Sequence, residues 1–280
     1  MELGISSYTY TWSLGIKGYE YEPVMDVYQL IDKTKQHGLN LLQIADNLPL
    51  HKFDKSELNR IAEYAKNKHV HIEVGTKYLT EENLKLYIGI AEIFNSKLLR
   101  FVIDDVGGSK FAKIDDVIKI CKTFNKKLQS SDITLAIENH DRLKAREFES
   151  IILGINSDRV GICLDCANSL GAGEGIFETV NILAPYTVNL HLKDIRISRK
   201  KHMMGFDING VPFGKGDIPL PWVISKMTDK CKTAILELWV SPEGTMSKTF
   251  QKEEEWVKRS IGYLLPDNKN SLLKKHNNNV

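Results

Sequence analysis

The 280-residue sequence has few cysteines, no long apolar run and almost no net charge, and each shortage excludes a class of protein. Its four cysteines, Cys121, Cys163, Cys166 and Cys231, are too few for a disulfide framework in a chain of this length. No apolar stretch approaches the roughly 20 residues that a membrane helix needs, and the first residues do not resemble a secretory signal. We therefore expect a cytoplasmic protein with reduced thiols and no membrane partner.

The charges nearly cancel, with 38 lysines and arginines against 36 aspartates and glutamates, for a formal net charge of +2. A surface with this balance has no strong field to recruit nucleic acid, so a nucleic-acid partner is not expected. Cys163 and Cys166 form a C-x-x-C pair, but no second pair or paired histidines complete a zinc site. Buried thiols are therefore the favoured interpretation of this pair.

Eight short apolar segments alternate with amphipathic stretches along the chain. The predicted strands cover residues 3–8, 39–45, 70–75, 98–104, 134–139, 161–165, 188–193 and 234–239. Between them, apolar residues recur at spacings of three and four, most clearly from Ile114 to Leu128, which predicts helices. A spacing of roughly 30 residues per unit favours an α/β fold with a single (β/α)₈ TIM barrel. An open doubly wound sheet is less favoured, because the G-x-G-x-x-G fingerprint of its dinucleotide-binding members is missing.

Two segments depart from this alternation. Residues 266–280 are polar and repetitive, which predicts a frayed C-terminal tail after a barrel over residues 1–265. Residues 194–216 form a long loop after strand seven, without helical periodicity and with an excess of basic residues. Loops of this length are commonly functional, and we expect a lid that brings positive charge to the barrel mouth. Its candidate substrate-binding residues are Arg196, Arg199 and His202; a solvated basic loop is the alternative.

Four inward-facing polar side chains lie near the carboxyl ends of four predicted strands. Alternation along each strand points Glu138, Asp165, His191 and Glu237 into the barrel, at the end where TIM barrels carry their active sites. Three carboxylates in a confined space repel one another unless a cation bridges them. The set therefore predicts one divalent metal ion, with Mn²⁺, Mg²⁺ or Co²⁺ favoured and Zn²⁺ less typical. The alternative is four unrelated core or salt-bridged residues.

Further candidates follow from position on the same strands and on the loops beyond them. Lys193 lies two residues beyond His191 and is predicted to contact the substrate or its enolate. The candidate substrate-binding residues are His140, Asn168, Glu73 and Trp12, in addition to the basic residues of the 194–216 loop. Arg100 also points inward by alternation, and a simple ion pair between Arg100 and Glu73 is the alternative for both.

These residues lie in segments that resemble one known family, the sugar phosphate isomerase/epimerase group of xylose isomerase-like TIM barrels. The similar segments are Glu138-Asn-His140, Leu164-Asp-Cys-Ala-Asn168, His191-Leu-Lys-Asp194, Gly214-Lys-Gly-Asp-Ile218 and Leu236-Glu-Leu238. The resemblance implies that the four predicted ligands bind one divalent metal ion. It also implies that Glu138 and Glu237 are catalytic and move a proton beside a carbonyl group, through a metal-stabilised enediolate. An isomerase or epimerase of a small sugar or sugar derivative is the favoured activity, and a homo-oligomer is compatible with the family.

Two other activities of this superfamily stay open. A metal-dependent lyase, either a decarboxylase or a dehydratase of an oxo sugar acid, uses the same metal site, and the basic loop would suit a carboxylate. An abasic-site nuclease resembling endonuclease IV is the remote alternative, because its three-metal cluster needs several more histidines. His71 is the only additional histidine that alternation places inside the barrel.

Overall fold

A closed barrel of eight parallel strands forms the centre of the molecule. The computed structural model describes residues 1–16, 18–104 and 111–265, and the tail predicted at 266–280 lies outside this part of the chain. The barrel strands are β1 (Glu2–Ser6), β2 (Leu41–Ile44), β3 (His71–Lys77), β4 (Leu98–Val102), β5 (Thr134–Glu138), β6 (Val160–Asp165), β7 (Thr187–Leu192) and β10 (Thr233–Leu236). They pair in chain order, and β10 closes the barrel between β7 and β1. The predicted TIM barrel is confirmed.

Helices surround the barrel because the outward faces of its strands are apolar and need cover. They are α1 (Thr11–Leu14), α2 (Val27–Gln36), α3 (Lys55–Asn67), α4 (Glu81–Ile93), α5 (Ile114–Ser130), α6 (Ala145–Ile155), α7 (Ile176–Leu183), α8 (Leu220–Lys226) and α9 (Met246–Leu264). In α5 the apolar stripe predicted from the sequence is buried at Val117, Cys121 and Leu128. Within the described ranges no helix has the length and apolar character needed to cross a membrane.

The approach of β6 to β7 sets the position of the site. Gly161 is needed there, because a Cβ atom at this position would lie 2.5 Å from Cγ1 of Val188. The register of the two strands then shifts between Ile162 and Cys163. Beyond the shift, Asp165 lies directly beside His191. Two side chains from different parts of the sequence thus become neighbours at the carboxyl end of the barrel.

The connection after β7 is a β-hairpin, whereas the sequence suggested a loop without regular structure. Its strands, β8 (Ile195–Arg199) and β9 (Phe206–Gly210), pair in antiparallel fashion. The hairpin is anchored by the buried carboxylate of Asp194, which accepts hydrogen bonds from the backbone N–H groups of Gly214 (2.9 Å) and Gly216 (2.8 Å). The alternation of apolar and polar residues in Ile-Arg-Ile-Ser-Arg is a strand signal that a search for helical periodicity overlooks.

Candidate metal centre

The four predicted metal ligands meet at the carboxyl end of the barrel. Glu138 is the last residue of β5 and Asp165 is the last residue of β6. His191 is the penultimate residue of β7, and Glu237 follows β10 directly. All four side chains are almost completely buried. The Nδ1 atom of His191 lies 3.6 Å from an oxygen of Glu138, 3.6 Å from one of Glu237 and 4.0 Å from one of Asp165. Three carboxylates therefore face one edge of a single imidazole.

The imidazole of His191 is oriented so that the lone pair of its Nδ1 atom faces the three carboxylates. Its Nε2 atom lies 2.9 Å from Oε1 of Gln43. The amide nitrogen of Gln43 donates to Glu73 at 3.0 Å, so Oε1 is the acceptor and the Nε2 atom of His191 carries the proton. Nδ1 is buried and has no hydrogen-bond partner among the residues that the structure describes.

This donor set fits a divalent metal ion. A buried lone pair without a partner is costly, and three carboxylates close to it carry excess negative charge. A divalent ion held by Glu138, Asp165, His191 and Glu237 would satisfy both. Cys163 also lies within reach of His191, but burial raises the pKa of its thiol well above the usual value, and the thiol donates to Asn189 at 3.1 Å. The thiol is therefore already engaged by Asn189, and the three carboxylates with His191 are the favoured ligand set.

Two buried cations offset the charge of the carboxylates. The Nζ atom of Lys193 lies 2.7 Å from Asp165 and 3.2 Å from Glu237. Arg100, on β4, donates from Nε to Glu138 and from NH1 to Asp46 at 2.7 Å. Burial alone would lower the pKa of Lys193, but these carboxylates hold it above its usual value. Both cations therefore remain charged beside any substrate.

A cavity of about 420 Å³ opens above these groups. Lys193 and the two glutamates line its floor, and the predicted residues His140 and Asn168 line its wall. Asn168 donates from its side-chain amide to Glu138 at 2.8 Å. Nδ1 of His140 lies 2.7 Å from a carboxylate oxygen of Asp141. The structure thus brings two of the predicted substrate-binding residues together with the metal centre.

Several residues of this cavity were missed by the sequence reasoning, among them Tyr8, Asp46 and Lys77. Asp46 accepts hydrogen bonds from the Tyr8 hydroxyl at 3.0 Å and from Arg100. It lies just beyond β2, as Glu237 lies just beyond β10. An acid directly beyond a predicted strand is the signal that points to Asp46, although alternation from the inward Gln43 would have turned its side chain outward.

Two residues of β3 that were predicted to face inward, Glu73 and His71, do not line this cavity. Glu73 does point inward, but it lies in a deeper layer, where it contacts Gln43 and lines a separate cavity at the opposite end of the barrel. Arg100 pairs with Asp46 and Glu138, so the alternative interpretation, an Arg100–Glu73 ion pair, does not hold. His71 is exposed at the first position of β3. Alternation gives the direction of a side chain and not its depth.

The remaining predicted substrate contacts also lie outside this cavity. Trp12 is buried, donates from Nε1 to the carbonyl of Val240 at 2.7 Å, and lines an adjoining cavity. On the hairpin, Arg196 pairs with Asp217 at 3.3 Å.

The predicted residues at the tip of the hairpin do not line the cavity either. Arg199 donates to the carbonyl of Met203 at 2.9 Å, and His202 is exposed. The part of the hairpin that does reach the cavity is Ile208. The structure therefore does not place the positive charge of the hairpin over the metal centre.

Comparisons with known proteins agree with this geometry. By sequence, the chain is similar to the 3-oxo-isoapionate decarboxylase of Pectobacterium atrosepticum, with 23% identity over 270 residues that cover 96% of each protein. By structure, it is similar to a D-psicose 3-epimerase solved in the presence of D-fructose, with a TM-score of 0.70 and 14% identity, over 98% of this chain and 100% of that one. It is also similar to a xylose isomerase-like TIM barrel protein of Mycobacterium smegmatis in complex with magnesium. That match has a TM-score of 0.66 and 10% identity, over 93% and 97% of the two chains.

The two structural matches show a shared fold, and the relatives include sugar-modifying enzymes and a metal-bound protein. A family model described as the xylose isomerase-like TIM barrel matches residues 31–266. Together with the closed eight-stranded barrel, this match establishes that the chain belongs to the xylose isomerase-like TIM barrel family.

Proposed function

We propose that the protein is a divalent-metal-dependent enzyme that acts on a small oxo sugar or oxo sugar acid. The observation that supports this is the unpartnered Nδ1 atom of His191, which faces three carboxylates and two flanking cations at the floor of a cavity. A divalent ion, when bound there, supplies positive charge that stabilises an enediolate of the substrate. The side chains of this protein must then orient the substrate, exclude water and move one proton.

Loss of carbon dioxide from an oxo sugar acid is the reaction that we favour. Cleavage of the bond to the carboxylate carbon leaves an electron pair on the carbon beside the carbonyl group, and one proton must be returned to that carbon. Lys193 and Arg100 offer fixed positive charge beside the developing negative charge. His140 lines the cavity, and its Nδ1–H group donates to Asp141, which stabilises the protonated ring; in that form His140 is our candidate proton donor, through Nε2. The sequence similarity to a decarboxylase over nearly the whole chain supports this choice.

Isomerisation or epimerisation is the second candidate. It is favoured by the equal distances of 3.6 Å from His191 to Glu138 and Glu237, an arrangement that suits two carboxylates acting on two faces of a substrate. We rank it second because both carboxylates are already occupied. Glu138 accepts hydrogen bonds from Arg100 and Asn168, and Glu237 accepts one from Ser6 at 3.0 Å. These contacts suit a metal ligand better than a base.

One experiment in D₂O separates the two reactions. The Mn²⁺-loaded protein is incubated with 3-oxo-isoapionate and, separately, with D-fructose. A decarboxylase releases carbon dioxide and leaves one deuterium in the product. An epimerase or isomerase instead replaces a hydrogen beside the carbonyl group by deuterium and releases no carbon dioxide. Lys193→Met should lower turnover strongly, and Lys226→Met, at an exposed position on α8, should not. The proposal is overturned if neither carbon dioxide release nor deuterium exchange is detected with any member of a panel of oxo sugars and their acids.

The remaining expectations concern location and assembly. All four cysteines are buried free thiols, in keeping with the cytoplasmic location that we expect. We expect a small carbohydrate as the substrate and neither nucleic acid nor membrane as a partner. A homo-oligomer is open to test by light scattering.

A further inference from the structure

A second cavity adjoins the metal centre. Its volume is about 370 Å³, and it shares part of its wall with the first cavity. The residues common to both are Tyr8, Lys193, Ile208, Glu237 and Trp239. The two cavities are therefore parts of one cleft, which runs from the carboxylates past Trp239 to the base of the hairpin.

The walls of the second cavity are apolar or uncharged beyond this common boundary. Trp12, Ile16 and Val240 supply apolar surface, while the polar groups are the hydroxyls of Thr11 and Ser241 and the amide of Asn209. Lys193 and Glu237 are the charged residues in the described lining, and both lie at the boundary with the metal centre. The ammonium group of Lys252 donates to the Ser241 hydroxyl at 3.0 Å, but its charge is already paired with Glu243 at 2.6 Å, so it offers no free cation to a phosphate or a second carboxylate. A neutral group fits.

Close contacts hold these walls in place. Gly210, at the end of β9, packs against Trp239 so tightly that a Cβ atom would lie 2.2 Å from the Trp239 carbonyl oxygen. On the other side, the backbone N–H of Trp12 donates to the buried carboxylate of Glu253 at 2.8 Å. The hairpin and the segment after β1 are thus fixed on either side of the cleft. A preformed cleft loses little freedom when a ligand binds.

Trp239 offers an aromatic surface at the junction of the two cavities. It is 42% exposed, although the neighbouring Leu238 and Val240 are buried. The ammonium group of Lys193 lies 4.8 Å from its ring centroid, on the side of the metal centre. An exposed indole in a cleft provides the flat apolar face on which the C–H groups of a sugar ring can pack.

We propose that the second cavity is a subsite for an uncharged sugar ring that is linked to the sugar held at the metal centre. The preferred substrate is then a glycoside rather than a free or phosphorylated monosaccharide. This inference rests on the proposed function for its assignment of the first cavity. At about 420 Å³, that cavity is already within the range of roughly 300–1,000 Å³ for small-ligand sites. A monosaccharide therefore does not need the second cavity, which leaves that cavity available to a second, linked ring.

Binding measurements test the subsite without turnover. Isothermal titration calorimetry on the Mn²⁺-loaded protein compares D-fructose with turanose and lactulose, in which a second hexose is linked to different hydroxyls of fructose. At least one disaccharide should bind about tenfold tighter than D-fructose, a difference of about 1.4 kcal/mol. Ser241→Trp, which fills the second cavity, should bring the ratio of the two affinities close to one. Ser225→Trp, at an exposed position on α8, is the matched control and should preserve the ratio.

Two results would overturn the inference: neither disaccharide binds more tightly than D-fructose, or the preference survives in Ser241→Trp. The outcome is separable from that of the proposed function. A protein that selects disaccharides but shows neither carbon dioxide release nor deuterium exchange retains the subsite and refutes the proposed reaction. A protein that turns over monosaccharides and does not prefer disaccharides supports the proposed reaction and refutes the subsite.

Discussion

Replacing Gln43 by methionine removes the hydrogen bond that orients His191 and nearly preserves the side-chain volume. In the wild type, Oε1 of Gln43 lies 2.9 Å from Nε2 of His191. In the variant, the buried Nε2–H group has no acceptor, at a cost of about 1–3 kcal/mol. The ring can avoid this cost by carrying its proton on Nδ1, where oxygens of Glu138 and Glu237 lie 3.6 Å away. That proton occupies the position at which a metal ion would bind.

The expected result is a loss of metal affinity by about 10- to 100-fold. A cost of about 1–3 kcal/mol corresponds to about 5- to 150-fold, which includes this range, since 1.4 kcal/mol is tenfold. The same range is typical when the hydrogen-bond partner behind a metal-binding histidine is removed. Calorimetric titration of the metal-free protein with Mn²⁺ measures the change in Kd. Long-range ¹H–¹⁵N NMR spectra should place the His191 proton on Nε2 in the wild type and on Nδ1 in Gln43→Met.

Thr34→Val is the control for a general effect on stability. Thr34 is buried in α2 and donates to the carbonyl of Leu30 at 3.0 Å, remote from the barrel interior. Its replacement should lower the free energy of unfolding by about 1 kcal/mol and leave the affinity for Mn²⁺ unchanged. The reasoning is refuted if Gln43→Met binds Mn²⁺ within about twofold of the wild type, or if its His191 proton stays on Nε2.

Three further predictions concern packing, pH and metal removal. Gly161→Ala should lower the free energy of unfolding by about 1–3 kcal/mol, because its Cβ would overlap Val188, whereas Gly262→Ala, in open space on α9, should raise it by about 0.5–1 kcal/mol. Chemical denaturation measures both, and effects of equal sign would contradict the packing. Burial raises the pKa of Glu253 from 4.5 to about 7, so the folded protein holds this proton more tightly than the unfolded chain, and stability falls as the pH rises through this interval. In the wild type this loss of unfolding free energy is about 3 kcal/mol, and it should be absent in Glu253→Gln. If the unfolding free energy of the variant has the same pH dependence as that of the wild type, the shifted pKa is refuted. Removal of divalent ions by EDTA should abolish turnover and added Mn²⁺ should restore it; activity that survives complete chelation would exclude an essential metal.

The barrel and the convergence of the four candidate metal ligands could be predicted because both depend on local properties of the sequence. Strands that are covered on both faces are apolar throughout, which makes an acid near the end of one conspicuous. Glu138 and Asp165 are conspicuous in this way, and His191 shares their position on β7. Each was placed inside the barrel by the alternation of its own strand, without reference to any other strand.

Depth within the barrel could not be predicted in this way. Glu73 and Glu138 both point inward, yet one contacts Gln43 in a lower layer and the other lines the cavity. Their levels depend on the register between neighbouring strands, and the register shift between Ile162 and Cys163 is a property of a strand pair. A single strand carries no signal for it.

The direction of the hairpin side chains depends likewise on tertiary contacts. The basic residues of the hairpin suggested a charged lid, but the hairpin rests on Trp239 through Gly210 and turns Ile208 toward the cavity. Arg196 is engaged by Asp217, twenty-one positions further along the chain. The positive charge of the hairpin was evident from the sequence, whereas the side of the hairpin that faces the cavity was not.

β10 is the last barrel strand in the sequence, so the candidate site is completed only after this strand has been synthesised. A growing chain exposes Glu138, Asp165 and His191 well before Glu237, which follows the strand that pairs with both β7 and β1. Until β10 emerges from the ribosome, β1 and β7 present unpaired backbone edges. The segment that seals these edges also delivers the last ligand. If the four candidate ligands bind a metal ion as we propose, a nascent chain gains its full affinity for metal only as its barrel closes, and uptake of the ion would report that closure.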